Sequence, residues 1–371
     1  MGNKKLLKWL IWFNLTIDIV CAPVKKQENK FDAFSATSIA DWERAAKEEL
    51  QGADPWKKLN REQNGVSIKP FYVQGSADTA IQLSPSGNEF MGPRAWYNCP
   101  RIVVTNANEA NILALNYLKQ GADGIFFEMD EAVDFTKLLK SIEWEFCSLN
   151  FLAKHDSKEI ASGLNQFLGK TKGPTHGSLF ANHASIPPIH GSFRFIGYNL
   201  SSGETVASEL AQGIISVEKL LGKKFAELAP HVAFSSTIGT DFFLETAKLR
   251  ALRGVWLKLL RKKGADTTSL FIHAWSPSWL NESYAPHGNM LKSTSASMAA
   301  ILGGCDALTI EPEDSSSAMM ARAASNVSNV LREESRFSKV ADPLAGSYFI
   351  EDLTLQLINQ AWNMIESNTT S

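Results

Sequence analysis

From Arg101 onward, short apolar runs alternate with longer amphipathic ones, and this alternation constrains the fold more than any other feature of the chain. The strand candidates are RIVVT (101–105), GIFFE (124–128), FCSLN (146–150), FRFIGY (193–198), HVAFS (231–235), SLFIHA (269–274) and ALTIE (307–311). SYFIE (347–351) is a possible eighth. Helical segments fall between them at 107–120, 203–221, 240–263, 289–302 and 317–334. In the third of these, Leu249, Leu252, Trp256 and Leu259 recur at spacings of three and four, the mark of a buried stripe. Continuous apolar strands separated by helices form a parallel sheet with covered faces. Seven or eight such units over about 250 residues match a (β/α)8 barrel of TIM type. A doubly wound open sheet is the alternative. No G-x-G-x-x-G follows the first strand and no G-x-x-x-x-G-K-[ST] occurs, which weakens its nucleotide-binding form.

The barrel is preceded by two stretches of different character, giving expected divisions at 1–34 (extension and linker), 35–100 (N-terminal arm) and 101–371 (barrel). The first stretch places Lys4, Lys5 and Lys8 before an apolar run, like the n- and h-regions of a signal peptide. Asn14 and Asp18 interrupt that run and no small-x-small cleavage site follows. An amphipathic extension or an upstream start accounts for it better than export, and it is too short and polar to span a membrane. In the arm, SIADWERAAKEELQGAD reads as a helix capped by Ser38 and ended near Gly52. Residues 60–100, rich in Gly, Pro and Ser, read as an irregular entry segment.

With 37 basic and 39 acidic residues the net charge is −2, and no basic stripe is interleaved with aromatics, so nucleic acid is not an expected partner. Cys21, Cys99, Cys147 and Cys305 are scattered without C-x-x-C spacing, which supports neither a zinc site nor a disulfide framework. A reducing, cytoplasmic setting follows as the expectation.

Reacting groups of such a barrel belong at the C-terminal ends of its strands. Three strand ends carry neutral hydrogen-bonding groups: Tyr198, Asn199 and Ser201; Ser235, Ser236 and Thr237; and His273, Trp275, Ser276 and Trp279. Together they predict a polar, uncharged small-molecule pocket. His176, His183 and His190 lie in a Gly/Pro-rich stretch read as a loop, with no H-x-x-x-H or H-E-x-x-H, so no metal site is expected. The absence of G-x-S-x-G leaves hydrolase chemistry unsupported.

Several segments together resemble one family. VADPLAGSYFIEDLT (340–354) is similar to the D-P-x-x-G-S-Y-x-x-E-x-L-T segment of the methylmalonyl-CoA mutases. SMAAILGGCDALTIEP (297–312), ARAASNVSNVLREES (321–335), IGTDFFLETAKLRALRGVW (238–256), GVSIKPFY (65–72) and WERAAKEELQGAD (42–54) resemble further family segments in the same order. The resemblance implies a barrel that receives an acyl-CoA along its axis, and an axis lined by small hydroxyl residues is compatible with its threaded pantetheine chain. It faces adenosylcobalamin on a second, C-terminal domain, for the radical interconversion of methylmalonyl-CoA and succinyl-CoA in propionate metabolism. The departures are equally specific. Asn199 stands where the family's G-Y-H stretch has His, and an amide cannot titrate near neutral pH. GPRAWYNCPRI keeps Arg94 and Tyr97 without the R-Q-Y-A-G motif, and HAWS keeps His273 without the Gln of H-T-Q-T. No D-x-H-x-x-G occurs before Ser371, so cobalamin is expected on a partner chain and not on this one. This pattern resembles the small, non-catalytic subunit of heterodimeric mutases, paired with a large subunit. The candidate pocket is Tyr198, Asn199, Ser235, His273, Tyr97 and Arg94. A competent acyl-CoA mutase barrel served by a separate cobalamin chain is the second reading, and an exported binding protein the third.

Overall fold

Pro100 divides the first barrel strand and lets its two halves bond to opposite neighbours. The computed structural model describes residues 37–73, 91–155, 157–171, 175–181, 192–265, 270–278 and 288–370. The extension at 1–34 lies outside the described residues. The chain divides into two compact units between Leu59 and Asn60.

In the first unit a helix spans Ile39–Glu49. Its N-cap is the expected Ser38, in a reciprocal box: Asp41 N donates to Ser38 Oγ at 3.2 Å and Ser38 N donates to Asp41 Oδ2 at 3.0 Å. Two backbone donors that the helix leaves unpaired are thereby satisfied. The Trp56 indole donates to Glu43 at 2.6 Å and its ring lies 4.9 Å from Trp42.

The second unit contains nine parallel strand segments. Tyr97–Asn98 and Arg101–Val103 are halves of one strand, β1. Tyr97 N and Cys99 N donate to Asp306 O and Leu308 O on one side, while Phe126 N and Val104 N donate to Pro100 O and Glu128 O on the other. Proline has no N–H to donate, so the ladder changes side there without an orphaned donor. Around the ring follow β2 (Gly124–Met129), β3 (Ser148–Ala153), β4 (His176–Ala181) and β5 (Arg194–Asn199). Then come β6 (Val232–Thr237), β7 (Phe271–Ser276) and β8 (Ala307–Ile310), which pairs back onto β1. The expected parallel α/β barrel is what forms.

Its helices include α1 (Ala107–Lys119), α2 (Ser157–Leu168), α3 (Val206–Leu221) and α4 (Phe242–Lys262). They continue with α5 (Gly288–Gly303), α6 (Ala318–Glu333) and α7 (Tyr348–Thr370). The predicted stripe of α4 is fully covered, with Leu249, Leu252 and Trp256 at 0% exposure. Each such side chain contributes about 1.5–3 kcal/mol by burial.

Two sequence expectations are corrected. Residues 347–351 are not a strand but the entry to α7, whose Ile350, Leu353, Leu357, Ala361 and Ile365 are buried at helical spacing. A five-residue apolar run cannot by itself distinguish the two periods. The missing strand is β4, in the stretch read as a histidine-bearing loop; Gly177 there has φ +145° and approaches Leu149 O so closely that a Cβ would sit 1.8 Å from it. Residues 60–73 are also more ordered than expected. Arg61–Gln63 and Val66–Ile68 form a hairpin around Asn64-Gly65, both at positive φ, as a tight Asn-Gly turn requires. Gln356 of α7 extends that hairpin, accepting from Ser67 N and donating to Ser67 O at 2.9 Å each.

The D-P-x-x-G-S-Y segment docks on α4 through one buried cation. Arg250, 0% exposed, donates from Nη1 to both Asp342 oxygens at 2.9 and 2.8 Å and from Nη2 to Glu351 at 2.9 Å. Asp342 thus holds the turn, and Glu351 the first turn of α7, against one helix face.

Candidate functional site

Inward-facing side chains of the eight strands stack in layers from the N-terminal to the C-terminal end. At the N-terminal end the Arg194 guanidinium lies 4.9 Å over the ring of Phe271. Tyr97 packs in the same region, and burial raises its phenol's pKa. Arg94 lies outside the barrel, under α5, where Nε and Nη2 donate to Ile301 O at 2.9 and 2.6 Å.

The middle layer is polar but closed. Asn150 accepts from Ser178 Oγ at 2.7 Å and donates to Ser148 Oγ at 3.1 Å. His273 is 0% exposed, stacked on Phe126 at 4.4 Å, with Phe180 at 5.7 Å and Trp275 at 6.2 Å. Its Nδ1 meets Ser235 Oγ at 2.8 Å and its Nε2 meets Thr309 Oγ1 at 2.9 Å. The Thr309 hydroxyl donates its only proton to Cys99 O at 2.7 Å, so it can only accept from His273. That fixes the imidazole as Nε2–H, with Ser235 donating to Nδ1. Burial pushes the His273 pKa down to about 3. The ring is therefore neutral at physiological pH, with both nitrogens engaged.

A stability prediction follows. In the unfolded chain His273 titrates near 6.5, whereas folded it resists protonation down to about 3. Its contribution is complete above pH 6.5 and is lost as pH falls below that value, because only the unfolded chain then takes up the proton. The slope is about 1.4 kcal/mol per pH unit. Urea midpoints of the native chain should fall below pH 6.5 relative to those of His273→Gln; parallel profiles would contradict the assignment.

The C-terminal mouth is charged, contrary to the uncharged pocket expected. Arg101 of β1 donates to Glu128 at 2.7 Å and to Glu311 at 3.2 Å, and Lys154 pairs with the other Glu128 oxygen. The Arg101 guanidinium sits 5.5 Å over Trp275. Burial raises Glu128, but Arg101 and Lys154 outweigh it and hold the carboxyl low. Burial raises Glu311, and Arg101 offsets this only in part. These four charged residues were not singled out from the sequence; the final Glu of GIFFE and ALTIE, each closing a strand, was the available signal.

Among the six predicted site residues the structure brings only Ser235 and His273 into contact. Asn199, exposed at the end of β5, pairs in register with Ser235 and so lies on the same sheet face. Tyr198 is a correction: it packs in the helix layer, its hydroxyl donating to Ser216 of α3 at 3.1 Å. Side chains alternate along a strand, so Tyr198 and Asn199 cannot both face the axis. Tyr97 and Arg94 lie toward the opposite end. The axis is not lined by small hydroxyls alone; Phe126, Phe180 and His273 fill its centre, each at 0% exposure. Trp279, His183 and His190 lie outside the described residues. Among the described residues, no group of three His, Cys, Asp or Glu side chains could hold a metal ion.

Fold and interior define a parallel α/β barrel with a packed core and a charged mouth. The methylmalonyl-CoA mutase family matches residues 200–369. Over 92% of its length the chain is 28% identical to the methylmalonyl-CoA mutase small subunit of Porphyromonas gingivalis, covering 64% of that protein. It is 31% identical to the mitochondrial methylmalonyl-CoA mutase of Bos taurus, over 88% of this chain and 54% of the relative. Identity is also 31% to the large subunit of Propionibacterium freudenreichii subsp. shermanii, over 51% and 28% respectively. The chain is thus similar to methylmalonyl-CoA mutases, in line with the resemblance of its motifs. It spans less than two thirds of the length of these relatives.

Proposed function

We propose that this chain is the small-subunit-type component of an adenosylcobalamin-dependent methylmalonyl-CoA mutase, serving as structural partner to a catalytic large chain. The observation that carries this reading is the occupied axis. An acyl-CoA threaded through the barrel would have to displace the stack of Phe126, His273 and Phe180, each fully buried. Opening it would also break the hydrogen bonds that His273 makes to Ser235 and Thr309. Similarity to a relative named as a small subunit over 92% of the chain supports the same reading. Acyl-CoA and cobalamin then belong to the large chain of a heterodimer. A cytoplasmic setting accords with Cys99, Cys147 and Cys305, which are free and buried. No helix among the described residues is long and apolar enough to cross a membrane.

His273, the imidazole on the barrel axis, does not fit as a ligand of cobalamin. Holding the cofactor's metal would need an imidazole nitrogen with a free lone pair, and His273 Nδ1 accepts from Ser235 while Nε2 carries the proton. The pure chain should leave the spectrum of added adenosylcobalamin unchanged; a stoichiometric one-to-one change would contradict this. The partner role is tested by size-exclusion chromatography with a large chain carrying G-Y-H and D-x-H-x-x-G. Co-elution as a one-to-one complex is expected. Separate elution, with acyl-CoA bound by this chain alone, would instead support a competent barrel served by another cobalamin protein.

A further inference from the structure

Beside β8, outside the barrel axis, the N-terminal halves of α5 and α6 enclose a cavity of about 220 Å³. Its walls are apolar, formed chiefly by Met290, Met320, Ala323 and Val327. Its floor is not. Glu311 lines it, and although one carboxylate oxygen accepts from Arg101 at 3.2 Å, the other, Oε1, is buried without a hydrogen-bond partner. Ser293 Oγ, from α5, also lines the cavity, buried and unpartnered. Glu311 is 9% exposed and Ser293 2%. Two such groups in one apolar cavity are unusual, because a buried acceptor left without a donor is costly.

We propose that this cavity binds a small amphipathic organic ammonium ion, whose apolar part packs on Met290, Met320 and Val327 and whose N–H groups donate to Glu311 Oε1 and Ser293 Oγ. An ammonium group carries three donors and no acceptor, so it can satisfy both oxygens at once. Charge selects the cation over an alcohol or an acid. Glu313 adds a second carboxylate to the lining, and no basic residue lines the cavity. Burial also raises Glu311's pKa despite Arg101, leaving a site that gains from added positive charge. Size limits the ligand: an engineered apolar cavity of about 150 Å³ holds one benzene ring. A single ring or short alkyl chain bearing the ammonium group fits here. Methionine walls suit such a ligand, since thioether chains adapt to aromatic and aliphatic surfaces alike.

The test uses the full chain, labelled at its methionine methyls and titrated with 2-phenylethylammonium chloride. Of the eight methionines, Met290, Met319 and Met320 line the cavity, and their signals should move together while Met129 and Met298 stay fixed. 2-Phenylethanol and 3-phenylpropanoate should bind at least about tenfold more weakly, as expected when a charge-assisted hydrogen bond is lost. Glu311→Gln should reduce affinity for the ammonium ion to a similar degree. Ala323→Phe, which fills the cavity while leaving Arg101, Glu128 and Glu311 unsubstituted, should abolish binding and guards against a folding defect in the first variant. Equal binding of the alcohol, unaltered binding in Ala323→Phe, or unmoved Met320 at millimolar ligand would each overturn the proposal. So would movement of these methyls only on adding a large mutase chain, which would make the cavity a socket for a protein partner.

Discussion

Replacing Arg250 with alanine should lower the free energy of unfolding by about 3–5 kcal/mol, the cost of removing one member of a buried charge cluster. The guanidinium is 0% exposed and bonds both Asp342 and Glu351, themselves mostly covered. Its removal leaves two carboxylates facing each other in a site that excludes water. Stability of a domain is only about 5–15 kcal/mol in total, so this one change consumes a large part of it. The loss should be specific to uncompensated charge: Arg250→Met combined with Asp342→Asn and Glu351→Gln should recover much of it, because buried ion clusters are often replaceable by neutral groups of similar volume. Urea unfolding of the single and triple variants decides the matter. A single variant within about 1 kcal/mol of the native chain would show that Arg250 is not what fastens α7.

This cluster explains why two segments recognisable in the sequence are separated by about ninety residues yet meet in the fold. The helix containing ETAKLRALR supplies the cation, and DPLAGSYFIEDL supplies both anions. Neither partner identifies the other by spacing, so the pairing was invisible until the fold joined them. Periodicity did carry the large elements: α1, α3, α4, α5 and α6 begin and end within a few residues of expectation, because each has an apolar face of uniform spacing. It failed at β4, where His176 and Gly177 interrupt the apolar run, and at 347–351, where a helix begins with four residues that also suit a strand. The Asn64-Gly65 hairpin was legible from its turn dipeptide but lay in a stretch whose composition suggested irregularity.

The site was harder to read than the fold. Residue type marked His273 and Ser235, and the structure joins them at 2.8 Å. Direction was the missing variable. A strand's pleat sends Tyr198 to the helices and leaves Asn199 on the Ser235 face. The layer of Phe126 and Phe180 that fills the axis was read only as hydrophobic strand. Arg101 and Glu128 sit on neighbouring strands, whereas Glu311 follows β8 and only closure of the ring brings it to Arg101.

The second large effect concerns catalysis. The isolated chain should show no interconversion of methylmalonyl-CoA and succinyl-CoA, even with adenosylcobalamin supplied. Asn199 cannot serve as a titrating acid or base, and loss of a positioned group of that kind costs on the order of 10²–10⁴-fold in rate. The filled axis adds a steric barrier that no strand-end substitution removes. Asn199→His should therefore leave the chain inactive. Trimming the stack with Phe126→Ala should do no better, because the radical comes from the cofactor and this chain is not expected to hold it.

The most direct measurement is succinyl-CoA turnover by the pure chain with added adenosylcobalamin, in the absence and in the presence of a large mutase chain. No turnover is expected without the large chain, and turnover with it should be unchanged when this chain carries His273→Gln or Asn199→Asp. Turnover by this chain alone, or loss of holoenzyme activity in those variants while the complex still forms, would contradict a structural role.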